Sequence, residues 1–162
     1  MSRYLALMML LCGLAACKMP VPQYQRIETM PSNAWSYNNK PKFTFNIKDT
    51  TGRYVPYFIV RHTQGYPYCN MWVLFYIKTP GDTLGKRERI NITMAESSGK
   101  WLGKGMGEIY EERVKINFGD SVKLNKAGTY EIVLEQNMRI DPLPEVMQIG
   151  LRVEDQSVHG KR

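Results

Sequence analysis

Lys42-Phe43-Thr44-Phe45-Asn46-Ile47-Lys48 changes between polar and apolar at every step. A period of two puts Phe43, Phe45 and Ile47 on one face of an extended strand and the polar residues on the other. The same period returns at Ile90, Ile92 and Met94, at Val114, Ile116 and Phe118, at Tyr130, Ile132, Leu134 and Met138, and at Ile149, Leu151 and Val153. Tyr54 to Thr63 and Met71 to Thr79 are apolar on both alternations, as strands covered on both faces are. Asp49-Thr50-Thr51-Gly52, Gly65-Tyr66-Pro67-Tyr68, Pro80-Gly81-Asp82 and Gly119-Asp120 interrupt the runs with turn-forming residues. No stretch of comparable length has a 3.6-residue period. The pattern predicts an all-β fold: a single β-sandwich of seven to nine strands, jelly-roll or immunoglobulin-like.

The first residues obey a different logic. Arg3 and the terminal amine precede an apolar segment, Tyr4 to Gly13, too short to span a ~30 Å hydrocarbon core as a helix. Leu14-Ala15-Ala16-Cys17 then sets small side chains before a cysteine, the pattern of a bacterial lipoprotein signal. Small residues fit a peptidase, and the Cys17 thiol is the soft nucleophile that can accept a diacylglyceryl group. The expected organisation is a signal peptide over 1–16, a lipidated tether over 17–23, the β-sandwich over 24–155 and a tail over 156–162. With Cys12 removed and Cys17 acylated, Cys69 has no partner for an intramolecular disulfide, and its apolar flank predicts a buried, inert thiol. No later segment approaches 18 consecutive apolar residues, so palmitate-type acyl chains are the expected anchor. Pro20 and Pro22 stiffen a tether reaching about 20 Å at ~3.3 Å per residue. Lys18, where aspartate would favour inner-membrane retention, points to the outer membrane. The absence of an acidic run after Cys17 points to a domain facing the periplasm.

Charge and side-chain chemistry narrow the function classes. The net charge of +7 is spread along the chain, with no dense basic helix or aromatic RNA-binding strand, so a nucleic-acid partner is not expected. His62 and His159 are far apart and no cysteine pair exists, which argues against a metal site; His62 reads as a strand surface residue. Gly81 to Lys86 superficially resembles a P-loop but is one residue short and lacks a following helix pattern. No G-x-S-x-G elbow is present. No catalytic residue, metal or cofactor is expected, and the chain does not read as an enzyme.

The most distinctive interior stretch is Gly99-Lys100-Trp101-Leu102-Gly103-Lys104-Gly105-Met106-Gly107. Its alternate glycines suit a bulge or a backbone that another chain or ligand approaches closely. Together with Pro31-x-x-Ala34-Trp35, Val60-Arg61-His62-Thr63, Tyr66-Pro67-Tyr68-x-Asn70, Met94-Ala95, Glu135-Gln136-x-Met138-Arg139 and Gly150-Leu151-Arg152-Val153, it resembles the gliding motility lipoprotein GldH family of Bacteroidetes. The resemblance covers nearly all of the mature chain. It implies a lipoprotein needed for movement over surfaces in gliding members and associated with the gliding and type IX secretion machinery. It brings no catalytic residues, and such proteins also occur in non-gliding relatives. Asp49-Thr50-Thr51, Asp82-Thr83-Leu84 and Asp120-Ser121-Val122 fit the O-glycosylation triplet of that periplasm, although turns select the same residues. Trp101, Lys104, Gly105, Tyr66, Tyr68 and Arg61 are the candidate binding residues. Two readings stand: an assembly component that binds an envelope protein, or a carbohydrate-binding module that holds peptidoglycan or envelope glycan against loop aromatics.

Overall fold

Most alternating runs become strands because their apolar faces meet a second sheet; of Val114, Ile116 and Phe118 only Val114 lies in a strand, while Ile116 and Phe118 stay buried in irregular chain beyond its end. The structure, a computed structural model, describes residues 22–119 and 122–157. Eleven strands lie among them: β1 (Tyr24–Thr29), β2 (Ala34–Trp35), β3 (Lys42–Ile47), β4 (Tyr54–Thr63), β5 (Asn70–Lys78), β6 (Lys86–Thr93), β7 (Lys104–Met106), β8 (Ile109–Lys115), β9 (Gly128–Gln136), β10 (Leu143–Pro144) and β11 (Val146–Asp155). The count exceeds the expected seven to nine because β2, β7 and β10 are two or three residues long, too short to show a period. Cys17, the tether up to residue 21, the Asp120-Ser121 pair and His159 lie outside the described residues.

A five-stranded antiparallel sheet, in the order β1-β11-β4-β8-β7, faces a four-stranded one, β3-β9-β5-β6. The core lies between them. Phe43, Phe45, Ile47, Val73, Phe75, Ile132 and Leu134 of one sheet meet Phe58, Val60, Ile149, Leu151 and Val153 of the other. Phe58 and Phe75 cross the gap edge to face with centroids 6.1 Å apart.

Neither outer face is left apolar. On the five-stranded sheet Arg61 bonds Glu111 at 2.6 Å and Gln148 at 2.8 Å, and Arg152 bonds Gln25 at 2.7 Å, over a buried Ile59. On the other sheet the Arg89 guanidinium lies 4.1 Å from the Trp72 ring and Arg87 lies 5.4 Å from Tyr76, flanking a buried Leu74.

Register fixes the two ends of the sandwich. Tyr24, Ile47, Lys78, Lys115, Gly128 and Asp155 mark one end, at which β1 begins, and Tyr24 packs on Phe45 with centroids 5.3 Å apart. Thr29, Lys42, Thr63, Asn70, Thr93, Ile109 and Gln136 mark the far end, which the β2–β10 pair and buried Trp35 cap. Wholly buried Gln136 shapes a far-end loop: its amide donates to the Ile140 carbonyl, and its oxygen accepts from the Met138 N–H, both at 2.9 Å. At the end where β1 begins, Thr50 and Thr83 are exposed. The Thr51 hydroxyl donates to Asp49 Oδ1 at 2.7 Å.

Candidate functional site

Six of the seven stretches that carry the family resemblance gather at or near the far end; Gly150–Val153 alone lies along β11. The centre of this end is His62. It lies on the inner face of β4, fully buried, and not on the surface as the strand pattern suggested. The reason is lateral: β8 places Tyr110 directly opposite, and the two rings stack at 5.7 Å. Trp101 meets the imidazole edge-on at 4.5 Å and Tyr66 packs at 5.5 Å. Nδ1 lies 2.9 Å from the Thr63 carbonyl, an acceptor only, so Nδ1 carries the proton and Nε2 holds a bare lone pair. Burial lowers the His62 pKa, partly opposed by that hydrogen bond.

The candidate binding residues separate into three settings. Tyr66 is 3% exposed and its hydroxyl donates to the Asn70 carbonyl at 3.0 Å; burial pushes its pKa well above the usual phenol value. Tyr68 packs edge-on against it at 5.8 Å, and Trp101 lies 6.2 Å from it, so these three aromatics form part of one plug. Arg61 sits elsewhere, in the polar network on the outer face. Lys104 and Gly105 lie on β7, the free edge of the five-stranded sheet, and not in a loop.

The alternate glycines now have a cause. Trp101, Gly103 and Gly105 fall on the inner side of the chain, against β8. A Cβ on Gly103 would lie 2.8 Å from Glu112 Cγ and 2.9 Å from the Glu111 carbonyl oxygen. A Cβ on Gly105 would lie 3.0 Å from the Tyr110 ring. Gly107, at φ +66°, makes the hairpin turn into β8. Leu102, Lys104 and Met106 therefore point away from the body. Leu102 is 52% and Met106 83% exposed, with the exposed Lys104 between them. This apolar–basic–apolar row is the most accessible apolar feature of the far end.

Glu112 is a residue that the pattern concealed. It lies one step back from Val114 along the inner face of β8, so extending the Val114, Ile116, Phe118 alternation backward would have found it. It is 4% exposed, and Oε1 has no hydrogen-bond partner. Burial raises its pKa to about 7, and a hydrogen bond from the Gly103 backbone N–H pulls the other way. Glu112 lines an open cleft of about 650 Å³ between Asn91–Thr93 of β6, Leu102–Lys104, and Glu111–Lys115 of β8. Among the described residues no group of three His, Cys, Asp or Glu side chains is placed to hold a metal ion.

Cys69 departs from its expected burial. Its carbonyl accepts the Met94 and Ala95 N–H groups at 2.8 and 3.1 Å, which ties its backbone to the end of β6 while the residue stays exposed. The native protein should therefore react with maleimide about as fast as the unfolded chain. A thiol that labels only after denaturation would contradict this exposure.

Comparison with known proteins gives this geometry its family. A profile of the GldH lipoprotein family matches residues 23–153. The gliding motility lipoprotein GldH homolog of Christiangramia forsetii is 27% identical over 128 residues, covering 74% of this chain and 76% of that protein. The gliding motility lipoprotein GldH of Flavobacterium johnsoniae is 25% identical over 129 residues, covering 75% and 78%. Among solved structures, a carbohydrate-binding module specific for non-crystalline cellulose aligns with a TM-score of 0.45 at 13% identity, over 81% of this chain and 72% of that one. The chain belongs to the GldH lipoprotein family.

Proposed function

We propose that this lipoprotein is a non-enzymatic assembly subunit of the gliding and type IX secretion-associated envelope machinery, held in the outer membrane by Cys17 and facing the periplasm. The observation that carries the reading is placement. The tether enters at one end, and the stretches that resemble the family crowd toward the other, where Leu102, Lys104 and Met106 stand exposed. A short tether keeps the entry end near the lipid and presents the far end to partners. The glycan-holding alternative draws less support, because Tyr66 is buried and Tyr68 and Trp101 pack with it and His62 in one aromatic plug.

Lys104 supplies the test. Lys104→Glu should reduce partner capture several-fold, most strongly at low ionic strength, and should reduce surface spreading in a gliding host. Because Glu111 stands directly opposite on β8, the reversal sets like charges across the strand pair and should cost up to about 1 kcal/mol. Lys104→Gln, which lacks that repulsion, should retain wild-type stability within about 0.5 kcal/mol and show a milder capture defect. Full complementation by stable Lys104→Glu would remove β7 from the contact surface.

A further inference from the structure

β7 pairs only with Ile109, Tyr110 and Glu111, and Gly103 packs against Glu112, so the same edge of β8 is unpaired from Arg113 to Lys115. The direction of its backbone groups follows from two bonds. Ile116 donates its N–H to the Pro56 carbonyl at 2.9 Å, and the Glu108 carbonyl accepts the Gln64 N–H at 2.8 Å. Even-numbered residues thus turn their N–H and C=O toward β4, and the antiparallel alternation turns those of Arg113 and Lys115 toward the cleft. The facing wall has the same property. Met94 donates its N–H to the Cys69 carbonyl beside β5, so Asn91 and Thr93 of edge strand β6 turn their backbone groups outward. Two bare strand edges therefore border one cleft, and the unpaired Oε1 of Glu112 is buried in its lining.

From this we infer that the cleft receives an extended segment of a partner polypeptide, which pairs with β8 at Arg113 and Lys115 and continues the line begun by β7. The proposal rests on the assembly reading above, names the form of the contact and extends it from the far end along β8 as far as Lys115. Charge selects the segment. On the outer face it would lie beside Arg113 and Lys115, with Lys104 at the rim, all three exposed. On the inner face it would cover half-buried Val114, beside the buried Ile92. A strand that alternates acidic and apolar residues satisfies both faces, since opposite charges across a strand pair attract and apolar pairs pack. The Glu112 carboxyl is placed to bond a group of the entering backbone.

The experiment uses the full lipidated chain in detergent and a capped seven-residue peptide alternating valine and glutamate. At millimolar peptide, amide exchange at Arg113 and Lys115 should slow at least tenfold. A valine–lysine peptide, and a valine–glutamate peptide N-methylated on alternate amides, should bind at least tenfold more weakly. Equal binding of the N-methylated peptide would overturn strand addition. So would no slowing with the acidic peptide, or slowing that rises with protein concentration alone, which would make the occupant a second copy. If Lys104→Glu loses partner capture while the acidic peptide leaves exchange unchanged, the assembly reading stands and strand addition falls. If the peptide protects β8 while Lys104→Glu complements fully, strand addition stands and the β7 contact falls.

Discussion

The Cys17→Ser protein should carry no acyl chain and should leave the membrane fraction completely. The effect is close to all-or-none because the remaining attractions are small. Among the described residues no helix is long and apolar enough to cross a membrane. A well-placed surface cation contributes at most about 1 kcal/mol against anionic headgroups, whereas acyl chains contribute about 0.8 kcal/mol per buried methylene. Serine keeps the size of the side chain but lacks the thiolate that attacks the lipid donor. Metabolic labelling with a palmitate analogue and detergent phase partitioning check the outcome together. Equal labelling of the wild type and the variant would contradict lipidation at Cys17.

Glu112→Gln should stabilise the domain at pH 8 by about 2–3 kcal/mol and leave it nearly unchanged at pH 4.5. The sign follows from proton counting. In the fold the Glu112 carboxyl keeps its proton up to about pH 7, while in the unfolded chain it ionises near its ordinary value of 4.5. Its contribution to stability is therefore complete below about 4.5 and is lost as pH rises through about 7. His62 works in the opposite sense: its folded pKa is lowered, so its contribution is present above 6.5 and declines as pH falls below that. Both variants of the comparison retain His62, so the difference between wild type and Glu112→Gln isolates the carboxyl. For a domain of this size the gain corresponds to about 5–10 °C in Tm. Thermal unfolding at several pH values measures it. Parallel wild-type and Glu112→Gln profiles would show that Glu112 ionises freely in the fold.

The sandwich was legible because its long strands carry the period of two on residues with apolar side chains. Phe43, Phe45 and Ile47 are buried as the alternation requires, and so are Tyr130, Ile132 and Leu134. The far end was less legible because its logic is lateral. Nothing beside His62 in sequence announces that Tyr66, Trp101 and Tyr110 will close over it from two loops and a neighbouring strand. The alternate glycines read as a bulge or a site of close approach by another chain or ligand; Gly103 and Gly105 are gaps that Glu112 and Tyr110 of the same chain fill. The strand that carries Lys104 was not legible because β7 has only three residues, and a period cannot be seen in three. Cys69 read as buried from its apolar neighbours, but a carbonyl tied to β6 fixed the backbone without burying the side chain. Charge carried the least information. Arg61, Arg87, Arg89 and Arg152 serve the protein's own outer faces, near buried Ile59 and Leu74.

The central claim, that the end away from the tether is the contact surface, is tested most directly by photo-crosslinking in living cells. A photoreactive residue at Met106 should give one discrete adduct with an envelope protein, and that adduct should be lost in Lys104→Glu. The same residue at Thr50, exposed at the tether end, should give none. A discrete adduct at Thr50, with Met106 silent, would contradict the claim and place the contact beside the membrane.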